Sequence, residues 1–163
     1  MAIQGVVQPE ILPVDSELRL RRFDGDRGFA LAWYQDGDTL YLGDGKRTPY
    51  TRQRLDQMYS WLAERGELYV IELLTEGVWR PVGDVTFWQE DMPMVIGDPA
   101  CRGKHIGRRV VSALVERGRA LGYDRLWVEE IYDWNVGSQR CYTAAGFTPA
   151  EKTEQGSRYV ITL

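Results

Sequence analysis

"DPACRGKHIGRRV", Asp98 to Val110, joins an apolar segment to the start of a strongly amphipathic one. Before it, "MPMVIGD" reads as a short strand. After it, Val110, Val111, Leu114, Val115 and Leu121 recur at helical spacing as far as Gly122. A strand that turns directly into a helix leaves backbone N–H groups unpaired and places the positive end of the helix dipole at the turn. Small residues at Gly103 and Gly107 let an anion approach the main chain, and phosphate is the usual guest. Arg102, Lys104, Arg108 and Arg109 add positive charge. The stretch is neither a Walker A loop, lacking the Lys-Ser/Thr ending, nor a G-x-G-x-x-G dinucleotide turn. It also carries the only histidine, His105. A backbone N–H donates equally well from His or Gly where φ is negative. A negative φ is therefore expected at His105, with its ring beside the anion or in solvent.

Working outward, "SELRLRRF" alternates as a strand with Leu18 and Leu20 on one face. "DRGFALAWYQD" reads as a short helix, and "DGDTLYLGDGKRTPY" as a turn-rich segment. Leu55, Met58, Tyr59 and Leu62 mark a helix from Thr51 to Arg65, stopped by Gly66. "ELYVIELL" and "PVGDVTFW" form a hairpin through "TEGVW". "RLWVEEI" is a strand, "VGSQRCYTAA" a helix capped by Gly146, and "SRYVITL" a last strand. This order predicts an α/β fold, mixed α+β around one central sheet flanked by helices, as a single domain over residues 1–163.

Composition narrows the function. A net charge of −4 disfavours nucleic acid, since no basic face supplies counterion release. Cys101 and Cys141 are too few for a disulfide framework, and with one His they lack metal-ligand spacing, so no metal is expected. The N-terminus has no charged region before an apolar core, and no apolar run approaches the roughly 18 residues that span a bilayer. The expectation is a reduced, cytoplasmic enzyme or binding domain without a membrane partner.

A second cluster, "NVGSQRCYTAAGF", puts Asn135 at a helix start and Tyr142 seven residues later, about two turns on, with Ser138 on the same face. Asn135 also suits a plain N-cap, and Tyr142 a half-buried ring. Together the two clusters, spanning roughly Val82 to Phe147, resemble the GNAT acetyltransferase superfamily. Its acetyl-CoA motif, Arg/Gln-x-x-Gly-x-Gly/Ala, is matched by Arg102-Gly103-Lys104-His105-Ile106-Gly107, with His105 in place of Gly. Its later pattern appears as Asn135, Tyr142, Gly146 and Phe147.

The resemblance implies a mostly antiparallel sheet splayed at the acetyl-CoA site. The loop amides from Arg102 through Lys104, His105 and Ile106 to Gly107, with Arg108, would hold the CoA pyrophosphate. Val95 and Ile96 would pair with the pantetheine arm and acetyl group, with Asn135 and Ser138 alongside. Tyr142 would protonate the departing thiolate; a thiol has a pKa of about 8.5 and a phenol about 10. The nucleophile is an uncharged amine, and Glu130, five residues before Asn135, is the first candidate for its base, with Glu129, Asp91 and Asp133 in reserve. Trp33, Asp36, Asp91 and Asp133 could line an aromatic, acidic acceptor pocket attractive to organic cations. The implied activity is direct acetyl transfer to a primary amine of a small molecule, aminoglycoside-like or a polyamine, or of a protein. Cys141 adjoins Tyr142, but helical neighbours point about 100° apart and no second base is evident, which argues against a thiol intermediate. A silent CoA-binding sensor of the same fold is the alternative, and another nucleotide-binding fold a weaker one. Many members of the superfamily form homodimers, although no stretch of this chain fixes an interface.

Overall fold

A computed structural model describes residues 2–163. The chain order is β1 (Ile11–Pro13), β2 (Leu18–Arg22), α1 (Gly37–Asp44), α2 (Arg52–Arg65), β3 (Glu67–Thr75), β4 (Val78–Phe87), β5 (Met94–Ile96), α3 (Ile106–Ala120), β6 (Arg125–Tyr132), α4 (Val136–Ala144), β7 (Thr148–Lys152) and β8 (Gly156–Thr162). Every strand pairing is antiparallel among the described residues.

The strands form two sheets, β1-β2-β3-β4-β5 and β6-β8-β7. The expected single sheet is therefore parted between β5 and β6. Just before β5 the halves are stitched together: Trp127 N–H donates to the Gln89 carbonyl at 2.9 Å, and Glu129 N–H to Asp91 Oδ1 at 3.0 Å. Past Asp91 the sheets diverge.

Two apolar clusters cover the sheet. One unites Leu18, Leu20, Tyr69, Ile71, Val85 and Phe87 with Val110, Val111 and Leu114 of α3 and Phe147. The other unites Leu68 of β3 with Tyr34, Leu40, Leu55, Tyr59 and Leu62. Burying each Val or Leu contributes about 1.5–3 kcal/mol, so the α3 stripe outweighs the modest helix propensity of its valines. No helix among the described residues is long and apolar enough to cross a membrane.

Four local features differ from the sequence reading. "DRGFALAWYQD" holds only a 3-10 turn at Trp33–Gln35, and the segment read as turn-rich contains α1. Asp36 caps α1, accepting from Thr39 N–H, while buried Thr39 and Leu40 anchor it despite two internal glycines. β7 is exposed at every residue, so no alternation announces it. Gly66 ends α2 in extended backbone rather than the left-handed region, and is required because a Cβ there would lie 2.6 Å from the Phe87 carbonyl.

Candidate active site

Two adjoining cavities occupy the opening between β5 and β6. The first, about 380 Å³, is lined by Val95, Ile96, Arg102, Gly103, His105, Ile106, Gly107, Arg108, Asn135 and Ser138, with Arg140 and Cys141 beside them. Of the loop residues expected here, exposed Lys104 lies outside this lining. The first α3 amides, on Ile106, Gly107 and Arg108, find no acceptor among the described residues, and His105 supplies no side-chain cap. The walls close in at Gly107, where a Cβ would come within 3.1 Å of both Cys141 Sγ and Met94 Cε. Free amides, guanidinium groups and a close main-chain approach fit the pyrophosphate and pantetheine of CoA.

Arg102 turns back instead of projecting into the opening: its Nε donates to the Ile96 carbonyl at 3.4 Å, and its Nη2 to the Thr39 hydroxyl. Asn135 caps α4, accepting from Ser138 N–H at 3.0 Å, and donates to the Leu42 carbonyl of α1 at 3.0 Å. The Cys141 thiol is pushed by burial up to about 12, which keeps it protonated and unsuited to covalent catalysis.

His105 corrects the expected backbone. Its φ is 59° and ψ 20°, in the left-handed region, following Gly103 at φ 73°. The chain needs both residues to swing from extended Arg102 into α3. This is why the quoted motif has Gly at the fourth position, and His there carries about 1–3 kcal/mol of strain. His105→Gly is expected to raise the thermal midpoint by about 2–4 °C, a net gain of about 1 kcal/mol after the added chain entropy of Gly. A lower midpoint in a thermal melt would show that ring contacts outweigh the strain.

The second cavity, about 410 Å³, opens from the first through Thr39, Leu42, Gly43, Met94, Val95, Asn135 and Ser138. Among the described residues its lining holds five carboxylates, Asp44, Asp84, Asp91, Glu129 and Glu130, and no Lys, Arg or His. Tyr34, Tyr50, Trp61, Tyr132 and Tyr142 supply aromatic surface.

Asp91 sits where the two sheets are stitched. Its Oδ1 accepts from Met92 N–H at 2.8 Å and from Glu129 N–H at 3.0 Å. Burial pushes its pKa up to about 6, against the lowering effect of those two amides. Tyr142 is buried, its ring edge-on to Phe147 and its hydroxyl donating to the Met92 carbonyl at 2.6 Å. Burial raises its pKa well above the usual phenol value. Glu130 lines the cavity, but its Oε2 accepts from Gln155 N–H at 3.0 Å and from the Thr153 hydroxyl, pinning the β7–β8 hairpin.

Three acceptor-wall candidates stand apart, lining neither cavity. Trp33 is core, packed on Phe29 and over Gly97, where a Cβ would overlap its ring. Asp36 caps α1, and its hydrogen bonds from Thr39 hold its pKa below the usual value. Asp133 is exposed. In their place the cavity has Asp84, buried on β4, whose Oδ2 accepts from the hydroxyls of Tyr34 and Tyr59, each at 2.8 Å. Burial raises Asp84 to about 6, and the two tyrosine hydrogen bonds hold it from going higher. The reading of "PVGDVTFW" as a hairpin strand gives Asp84 no role. The one available signal was an acid inside a strand otherwise almost free of charge.

Known proteins bear on this geometry. A comparison with curated proteins finds no match. Among solved structures, a domain from Methanocaldococcus jannaschii is similar at 25% identity with TM-score 0.77, covering 91% of this chain and 100% of its own. The aminoglycoside acetyltransferase AAC(6')-Ib in complex with coenzyme A is similar at 19% identity with TM-score 0.73, covering 89% and 94%. RimL, a ribosomal L7/L12 alpha-N-protein acetyltransferase in complex with coenzyme A, is similar at 18% identity with TM-score 0.71, covering 94% and 98%. The model of the acetyltransferase (GNAT) family matches residues 31–147, which include both cavities' β5, α3, β6 and α4 walls. The chain therefore belongs to the GNAT acetyltransferase family.

Proposed function

We propose that this chain uses acetyl-CoA to acetylate a primary amine of a small, cationic acceptor by direct transfer. The observation that carries this reading is the opposite charge of the two cavities. Among the described residues the first is lined by Arg102, Arg108, Arg140 and His105 and no carboxylate, and the second by five carboxylates and no basic residue. An anionic cosubstrate and a cationic acceptor would meet where the linings join.

Each residue then has a task. The open α3 amides and Arg108 bind pyrophosphate, and Arg102 braces β5 against α1 from within. The cosubstrate supplies an activated acetyl group on sulfur. An alkylammonium of pKa about 10.4 costs roughly 4.6 kcal/mol to deprotonate at pH 7, so the acceptor needs a proton sink. Asp91 takes that role in preference to Glu130. It lies beside Tyr142 at the root of the opening and has a pKa near 6, whereas Glu130 Oε2 is committed to the hairpin. Tyr142 turns its hydroxyl from the Met92 carbonyl toward the sulfur as negative charge grows there. A silent CoA sensor has no use for this acidic second chamber.

A thermal melt tests the cosubstrate. Acetyl-CoA at 100 times its dissociation constant should stabilise the protein by about 2.7 kcal/mol, a rise on the order of 5–10 °C. A panel of amines with detection of released thiol tests the reaction. Stabilisation by ATP or NAD but not acetyl-CoA would overturn the assignment; stabilisation without thiol release from any amine would favour the sensor.

A further inference from the structure

Among the described residues three carboxylates are buried: Glu67 at 1% exposure, Glu72 at 5% and Asp84 at 4%. A buried charge is costly unless a partner of opposite sign accompanies it. The fold supplies one twice. Arg117 pairs with Glu67 at 2.7 Å, and Arg19 and Arg21 pair with Glu72 at 2.8 and 3.0 Å. Asp84 has no cation in contact among the described residues. Its two donors are neutral tyrosine hydroxyls, and both meet the same oxygen, Oδ2. Among the described residues Oδ1 receives no hydrogen bond, and Asp84 forms part of the acidic cavity's wall.

The tyrosines also fix where Asp84 can act. Tyr34 and Tyr59 pack edge to face with ring centroids 6.1 Å apart, and Phe23 backs Tyr59 at 4.8 Å, so Oδ2 is clamped from the α1–α2 side. Asp84 lies opposite Val95 of β5, whereas Asp91 bridges to Trp88, four residues farther along the same line of chain. At about 3.3 Å per residue the two backbones are roughly 13 Å apart, so the two carboxylates serve different nitrogens.

Resting on the acetyltransferase reading above, we propose that Asp84 is a specificity-determining residue. Its Oδ1 binds a second ammonium group of the acceptor, several methylenes from the amine being acetylated, so the enzyme prefers linear diamines or polyamines over monoamines. The ligand brings the counter-charge that the chain withholds, and Tyr34 lends the cation an aromatic face.

The test compares linear α,ω-diamines with alkylamines of equal length, by thiol release on the full chain. The wild type should show kcat/KM at least about thirtyfold higher for a diamine, carried by KM, as expected for pairing a buried charge. Asp84→Asn keeps an oxygen for the tyrosines and should reduce that ratio to near one by raising KM for the diamine, and an acetyl-CoA thermal shift equal to the wild type's shows that the variant is folded. A diamine preference that survives Asp84→Asn, or is absent in the wild type, overturns the proposal. A second measurement needs neither turnover nor the variant: diamine alone should raise the wild-type melting temperature and monoamine should not, with equal shifts counting against Asp84. Failure of every amine to release thiol would strike the acetyltransferase reading, and the binding arm would still decide on Asp84.

Discussion

Tyr142→Phe is expected to lower kcat by about 10²–10⁴-fold at saturating acetyl-CoA, the range for losing a positioned proton donor. Acetyl-CoA affinity should hold, because the phenol lies in the second chamber and the residues proposed to hold the pyrophosphate line the first. The variant also strips the Met92 carbonyl of its donor, which sits 2.6 Å away in a buried setting. That loss costs about 1–3 kcal/mol, visible as a lower melting temperature. The two effects are separable. Single-turnover kinetics with the folded variant report the chemical step, and a melt reports the lost bond. Unchanged single-turnover rates beside a lower melting temperature would make Tyr142 a structural pin and leave the thiolate without its assigned donor.

Asp91→Asn should lower kcat/KM by about 10²-fold or more at pH 7.5, since Asn keeps the carboxyl's shape but cannot take a proton. The pH profile gives the sharper signature. Burial raises Asp91 to about 6, so its carboxylate is present above that pH and is lost as pH falls through it. Asp84, also near 6, would add a second proton to the acid limb for a diamine. A monoamine therefore isolates Asp91. Its kcat/KM should fall with unit slope below about pH 6 and stay level up to the amine's own pKa of about 10.4, because carboxylate and ammonium combine. Asp91→Asn should flatten the acid limb. A wild-type profile that climbs continuously from pH 6 to 10 would mean that the enzyme takes up only neutral amine, and Asp91 would not be its base.

Some of this could be read from residues in order. α3 announces itself because an apolar stripe with Val110, Val111 and Leu114 at its centre faces the sheet while its other side is polar, so periodicity and burial agree. The Arg102–Gly107 loop is legible because its geometry follows from a strand meeting a helix. α1 is not, since its stability comes from the Asp36 cap and from Leu40 packing rather than from propensity. β1 is three residues long, too short to show a period. Asp84 escapes for a different reason. From Val82 to Phe87 every residue of β4 is buried, so both faces are covered and alternation carries no information about which side meets water. Of the expected acceptor wall, Asp91 lines the cavity and Trp33, Asp36 and Asp133 do not. The chain builds the rest from positions on α1, α2, β4 and β6 that are distant in sequence and converge only after folding. His105 shows the same limit in the backbone: residue type suggested a permissive site, and the path from Arg102 into α3 imposed a left-handed one.

The acidic chamber also bears on how a turnover ends. Acetylation converts an ammonium into a neutral amide, so the group nearest Asp91 loses its charge as the new bond forms. Five carboxylates, of which Asp44 alone is paired with an arginine among the described residues (Arg54, at 3.4 Å), would grip a dication far better than the monocation it becomes. On the proposed diamine reading the chamber would discriminate in time as well as in kind, drawing substrate in and loosening its hold on product.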